Sequence, residues 1–255
     1  CWPEWLEQCG ISPQCLPQVV KPGNHIATLR ADLCHAWKFP ENTGIAAGTT
    51  DSTAAVIASG AGNIGEAVTS LGSTLVLKIL SQQPIVAPQF GVYSQPLLDK
   101  WLVGGASNCG AAVLLNFFSK EEMQRMTPEL HGAADSSLDY YPLPRPGERF
   151  PINDPSLRPK LTPRPDNDVE FFHGLLYGIA QVEQQGYELL QQLGAPYPSK
   201  VFTIGGGAIN EPWRQMRQRL LNTPVVTAKH LQAAYGSALI ALRSASQKNG
   251  LRNSR

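Results

Sequence analysis

Eight prolines fall between Tyr141 and Asp166, and they constrain the fold more than any other feature of the chain. Proline has no amide hydrogen and a fixed φ, so neither a helix nor a central strand runs through such a stretch. It is a linker or a loop pinned against a surface, and regular structure must lie on either side. On the C-terminal side, Asn167 stands as a cap with Glu170 three residues on, and Val169, Phe172, Leu175, Ile179 and Val182 recur at helical spacing until Gly194. This pattern predicts a long amphipathic helix. Val201 to Ile204 then reads as a buried strand and Gly205 to Asn210 as a glycine turn. Glu211 to Leu221 reads as a helix with Asn210 near its cap and Pro212 in its first turn. Beyond it, LQAAYGSALIAL places Ala233, Ala234, Gly236, Ser237 and Ala238 on a helix that other backbone can approach closely.

On the N-terminal side, residues 1–40 hold five prolines and four of the five cysteines between short apolar stretches, which predicts small helices and turns. From Gly44 the texture changes. GIAAG is strand-like, TTDS offers helix caps, and TAAVIAS is helical to Gly60. GAGNIGEAVTSLGSTLVLKIL follows, two apolar runs separated by Gly72 to Thr74, and reads as a hairpin with its turn there. A 42% hydrophobic content fills the core of one large domain or two small ones and excludes disorder of the whole. No internal repeat is evident.

Composition also restricts the partners. Charged residues make up 16%, with 21 Lys and Arg against 20 Asp and Glu, so no basic field exists to hold nucleic acid or an anionic membrane. No apolar run approaches the roughly eighteen residues of a membrane helix. The five cysteines include no CxxC pair, which points to a reducing, cytoplasmic setting. The opening CWPEWLEQCG lacks the order of a signal peptide and starts at Cys1, so a longer parent protein is expected; Ser244 to Arg255 reads as a frayed tail.

Several motifs bear on chemistry. Gly60-Ala61-Gly62-Asn63-Ile64-Gly65 satisfies GxGxxG, but a helical run precedes it and Ile85 stands near the position where a ribose-binding acid belongs, so it reads as a plain turn. Walker, GxSxG and HExxH motifs are absent from the sequence. Histidines 25, 35, 131, 173 and 230 do not pair at ligand spacing and read as structural or surface residues. Asp51 opens a helix after a strand, a place equally suited to a general base and to an N-cap. Gly205, Gly206 and Gly207 allow backbone N–H groups to approach a ligand, and the helix after them favours a phosphate or packs under a purine; the same run also makes an ordinary tight turn. Gly72, Ser73 and Thr74 suit a terminal phosphate as well as a simple hairpin.

Five segments in order, GTTDSTAAVIASG, SLGSTLVL, GERFPINDP, FTIGGGAINEPWRQM and AAYGSALIAL, resemble the C-terminal half of the FGGY carbohydrate kinases, most closely the D-ribulokinase and xylulokinase-like members. The resemblance spans Gly10 to Leu242. It implies an α/β fold, an actin-like ATPase lobe of the RNase H type, here a fragment of a two-lobe sugar kinase. Residues 1–58 are expected to finish an N-terminal sugar-binding lobe, residues 59–232 to form the ATP-binding lobe, and residues 233–255 to hold a final helix returning to the first lobe, then a tail. By the same resemblance Asp51 is the catalytic base, Gly72, Ser73 and Thr74 lie by the ATP phosphates, and Gly205, Gly206, Gly207, Asn210 and Trp213 hold adenosine. ATP with Mg²⁺ and a small sugar, a ketopentose such as D-ribulose, are the implied ligands. The missing N-terminal lobe is the implied partner, without which this chain is expected to be inactive. The rival expectation is an actin-like ATPase module with no sugar substrate. GTTD stands where the family often carries more glycine, and GST where GTS is common.

Overall fold

The computed structural model describes residues 2, 3, 5–130 and 135–250. The chain divides into two compact units, Cys1–Ala54 with Ala233–Arg255, and Ala55–Gln232. The first unit holds the small helices expected, α1 (Trp5–Gln8), a single 3-10 turn (Pro13–Cys15) and α2 (Ala31–Trp37). It also holds β1 (His25–Thr28), antiparallel to β2 (Gly44–Ala46). β1 escapes sequence reading because all four of its residues are exposed, so no alternation marks it. α3 (Asp51–Ser59) opens at the TTDS caps, and the division between the units falls inside it. α7 (Ala233–Gly250) packs so closely at Gly236 that a Cβ there would lie 1.9 Å from the Ala54 carbonyl oxygen. The helix runs on past Ser244, where fraying was expected, because no glycine or proline interrupts it before Gly250. Residues 251–255 of the expected tail, like Cys1 and His131, lie outside the described residues.

The second unit is built on a six-stranded sheet of order β5-β6-β4-β3-β7-β8. β3 (Glu66–Leu71), β4 (Leu75–Ser81), β5 (Tyr93–Leu97) and β6 (Lys100–Ser107) form the antiparallel part, and Gly72–Thr74 is the predicted hairpin turn. β7 (Lys200–Ile204) and β8 (Val225–Thr227) then add parallel to β3. Parallel neighbours need crossovers. α5 (Asp168–Gln192) leads into β7, and α6 (Glu211–Leu221) joins β7 to β8. α5 begins as predicted, with Asn167 Oδ1 accepting the amides of Val169 and Glu170.

Period-two alternation splits the core between the two faces of the sheet. Leu75, Leu77 and Ile79 join Val103, Leu175, Ile179 and Trp213 on the face that α5 and α6 cover; Leu80, Val68 and Leu102 join Val56 and Ala61 on the other. The proline-rich segment is the pinned loop of the two options left open: Phe150 is fully buried, and a Cβ on Gly105 of β6 or Gly186 of α5 would stand 2.4 or 2.8 Å from its ring. The GxGxxG stretch is a turn, its Gly62 and Asn63 amides donating to Glu66 Oε2 at 2.8 and 2.9 Å.

Polar groups also enter this core. Arg217 of α6 and Glu183 of α5 are 1% and 0% exposed; Arg217 Nε and Nη2 donate to the carboxylate at 2.5 and 2.7 Å. Arg217→Met leaves that carboxylate buried without a counter-charge, at a cost of about 3–5 kcal/mol in urea unfolding. The pair Arg217→Met with Glu183→Leu recovers most of it. Lys78 of β4 is buried on the α3 face, its Nζ 3.8 Å over the Tyr93 ring and without a hydrogen-bond acceptor. Burial pushes its pKa down to about 8 from a usual 10.5. Below pH 8 the ammonium stays buried and its cost is fully felt. Between the folded and unfolded values the unfolded chain holds more protons, so stability rises with pH. Lys78→Met is expected to raise stability at neutral pH by on the order of 2 kcal/mol and to remove the rise above about pH 8, both read from urea unfolding across the pH range.

Candidate nucleotide site

β3 and β7 run side by side and parallel, with Ser70 paired to Ile204, so the turns leaving both strands emerge at the same end of the sheet. Carboxyl ends of parallel strands are where open α/β sheets bind ligands. The turn after β3 is tight, the Gly72 amide donating to the Thr74 carbonyl at 3.2 Å, and the loop after β6 backs it: the Ala111 and Ala112 amides donate to the Gly72 and Ser73 carbonyls at 2.9 and 3.3 Å. The turn after β7 is pressed against the same place. Gly205 has φ +87°, and a Cβ on it would lie 2.6 Å from the Leu71 carbonyl oxygen. A Cβ on Gly207 would meet the Trp213 ring at 2.6 Å and Leu71 at 2.9 Å. Leu71 is the residue from which the first turn starts, so the two turns pack as one body. Gly206 faces open space.

Beside them lies a cleft of about 400 Å³. Gly206, Gly207, Asn210 and Trp213 line it, together with Ala111, Leu115, Lys120 and Met123. Trp213 is nearly buried: its Nε1–H donates to the Leu176 carbonyl at 2.9 Å and its amide to Asn210 Oδ1 at 3.0 Å. The indole therefore offers the cleft only ring surface, and the Asn210 carboxamide oxygen is committed to capping α6. The start of α6, favourable to phosphate by sequence, already carries a carboxylate. Glu211 is pushed down to about 2 by its hydrogen bonds from Arg214 and Gln215, so this end of the cleft suits a neutral aromatic base better than an anion. A larger hollow of about 500 Å³, lined by Gln218, Arg219 and Asn222 among others, is wide open and includes neither glycine turn.

The structure thus gathers Gly206, Gly207, Asn210 and Trp213 around one cleft, with Gly205 beneath it on Leu71. Gly72, Ser73 and Thr74 are joined to the cleft wall through Ala111. Asp51 lies in the other unit as the first residue of α3, exposed, with its Oδ1 accepting the Ser52 amide at 2.7 Å. The hydroxyl of Thr50 accepts the Thr53 amide at 3.4 Å, so capping does not consume Asp51. Among the described residues no group of three or more His, Cys, Asp or Glu could hold a metal ion.

Sequence reading passed over α4 (Lys120–Met126), which supplies Lys120 and Met123 to the cleft. Its signal was present: Ser119 and Glu122 form a capping box. It also passed over Glu183, four residues from both Ile179 and Tyr187, and Arg217, four from both Trp213 and Leu221; a lone charge within an apolar stripe was the sign.

The glycines make a graded test. Gly206→Ala is expected to leave thermal stability within about 0.5 kcal/mol. Gly205→Ala and Gly207→Ala, which drive a methyl into Leu71 or Trp213, each lose about 2 kcal/mol or more in the same melts.

Comparison with known proteins bears on the family and the fold. Residues 67–245 match the FGGY family of carbohydrate kinases, C-terminal domain. The xylulose kinase of Bacillus subtilis (strain 168) is 26% identical over 256 residues, covering 93% of this chain and 50% of that protein. The xylulose kinase of Streptomyces coelicolor is 28% identical over 264 residues, covering 97% and 49%. A solved structure, a xyloylose kinase from Brucella ovis, superposes with a TM-score of 0.84 at 25% identity, over 96% of this chain and 52% of that one. The chain spans about half the length of the curated relatives it matches. The α/β, actin-like ATPase fold expected from the five segments is the one observed. This chain belongs to the FGGY family of carbohydrate kinases, whose C-terminal domain it carries.

Proposed function

We propose that this chain is the nucleotide-binding half of a kinase that transfers the γ-phosphoryl of ATP to a hydroxyl of a small sugar. The carrying observation is the packing of two glycine turns on Leu71 at one end of parallel strands, beside a cleft walled by an aromatic ring. In this reading Gly205, Gly206, Gly207, Asn210 and Trp213 hold adenosine, the base lying on ring and backbone rather than on charge. Gly72, Ser73 and Thr74 take the terminal phosphates through backbone amides and hydroxyls. Phosphoryl transfer asks mainly for positioning and charge neutralisation, and rigid turns on a buried sheet supply the first. Mg²⁺, when it accompanies the nucleotide, would supply the second.

Asp51 is the base in this reading. Its carboxylate is exposed on the first turn of a helix, a rigid mount, and accepts the proton of the sugar hydroxyl as charge develops on the attacking oxygen. Residues 1–58 finish the sugar-binding lobe, residues 59–232 make the ATP lobe, and residues 233–255 carry the helix that returns to the first. The sugar is a ketopentose: the relatives above are named xylulose kinases, and D-ribulose is the substrate we favour. The remainder of the sugar lobe lies in an N-terminal half, and this chain by itself phosphorylates nothing.

The test uses the full-length protein and sugar-dependent ADP release with D-ribulose and D-xylulose. Asp51→Ala is expected to lower kcat by about a thousandfold or more while ATP affinity holds within about twofold. Unchanged turnover rejects Asp51 as base. ATP hydrolysis indifferent to every pentulose points instead to an ATPase module without a sugar substrate.

A further inference from the structure

The segment Gly147–Phe150, GERF, is one of the five that carry the family resemblance, yet no step of the transfer uses it. We propose that Glu148 is a positioning residue for the Gly72–Thr74 turn, setting the affinity for the nucleotide's phosphates through the loop that leaves β6; the inference rests on the reading of that turn as the phosphate site. The Glu148 side chain is 2% exposed and accepts four hydrogen bonds. Ser107 Oγ donates at 2.6 Å and the Tyr141 hydroxyl at 3.1 Å to Oε2. The amides of Asn108 and Arg149 donate at 2.6 and 2.8 Å to Oε1. Asn108 closes the clamp from its own side, its Nδ2 donating to the Gly147 carbonyl at 2.8 Å. A buried carboxylate whose acceptor sites are filled by four donors has no competing partner, and so holds what it binds in one place.

What it holds is the path from β6 to the turn. Ser107 pairs with Leu75, the residue immediately after the turn, and its Oγ also accepts the Cys109 amide at 2.9 Å. Gly110 then lies so close that a Cβ on it would stand 2.5 Å from the Ser73 carbonyl oxygen and 2.7 Å from Thr74 Cα. Ala111 and Ala112 complete the path with their amides on the Gly72 and Ser73 carbonyls. Gly110, Ala111 and Ala112 touch the turn directly, and the cradle around Glu148 sets where they begin. The aromatic wall of the cleft is anchored otherwise, through the bonds of Trp213 to Leu176 and Asn210. Of the residues that line the cleft this path includes Ala111 alone, so Glu148 acts on the phosphates more than on the base.

The experiment titrates adenosine, ADP and ATP against the full-length protein and its Glu148→Gln variant. Glutamine offers one acceptor oxygen and an N–H₂ group to four donors, so the cradle opens. ADP and ATP affinities are expected to fall about tenfold, with adenosine affinity held within about twofold, and KM for ATP rises while KM for the sugar stays. Equal loss for adenosine and ADP, or no loss for either, overturns the inference. Where Glu148→Gln gives no cooperative unfolding transition, Ser107→Ala and Tyr141→Phe, each deleting one donor, replace it. Each should weaken ADP about threefold relative to adenosine, and no change in both overturns the inference. A wild-type protein whose affinity gains nothing from added phosphates overturns the phosphate reading and this inference with it; a wild type that gains from the phosphates beside a variant that keeps the whole of that gain overturns the inference alone.

Discussion

Arg217 and Glu183 meet under the sheet where four elements converge, and the placing of both glycine turns depends on that meeting. Thr69 of β3 donates its hydroxyl hydrogen to Glu183 at 2.6 Å, and Arg217 donates to the hydroxyl of Thr203 on β7 at 2.9 Å. Thr69 and Thr203 are direct partners across the parallel β3–β7 pair. Tyr187 lies 2.8 Å from the Thr69 hydroxyl and joins the group from α5. Two strands and two helices are thus locked by charge-assisted hydrogen bonds in a low-dielectric interior, where such bonds are strong and an incomplete set is costly. Desolvation makes the pair a poor source of net stability and a good source of uniqueness, because only one register of β3 against β7 satisfies every member.

From that register the turns follow. β3 ends at Leu71 and β7 at Ile204, and the next residues of each chain segment must share the same small volume. Glycine at Gly205 and Gly207 permits this, since any Cβ would enter Leu71 or Trp213. The body so formed is stiff where a nucleotide needs fixed geometry, and open only at Gly206 and along the cleft. Two anchors act on it separately, the Arg217–Glu183 group below and the Glu148 cradle beside the first turn.

Much of the plan was legible in the chain. The α5 stripe from Val169 to Val182, the Asn167 and Asn210 caps, the hairpin turn at Gly72–Thr74 and the proline block each announce themselves by local rules, and each is where those rules put it. Local elements are legible because their causes lie within a few residues. β1 was not, since its exposed residues carry no alternation. The tail beyond Ser244 was judged by polarity, whereas a helix requires only that nothing break it.

The sequence by itself determined the order strand, turn, helix, the glycines at both turns and an acid at the head of α3, because dihedral preferences and caps act over single turns of chain. Only the tertiary structure decided that β3 and β7 are neighbours, that a lone glutamate and a lone arginine on two apolar stripes are partners, and that Glu148 grips the loop behind the hairpin. Each of those joins residues distant in sequence, 34 positions apart for Arg217 and Glu183, 41 for Ser107 and Glu148. Pairings over such separations are chosen by burial and hydrogen-bond satisfaction across the whole core, which no local window of the chain contains.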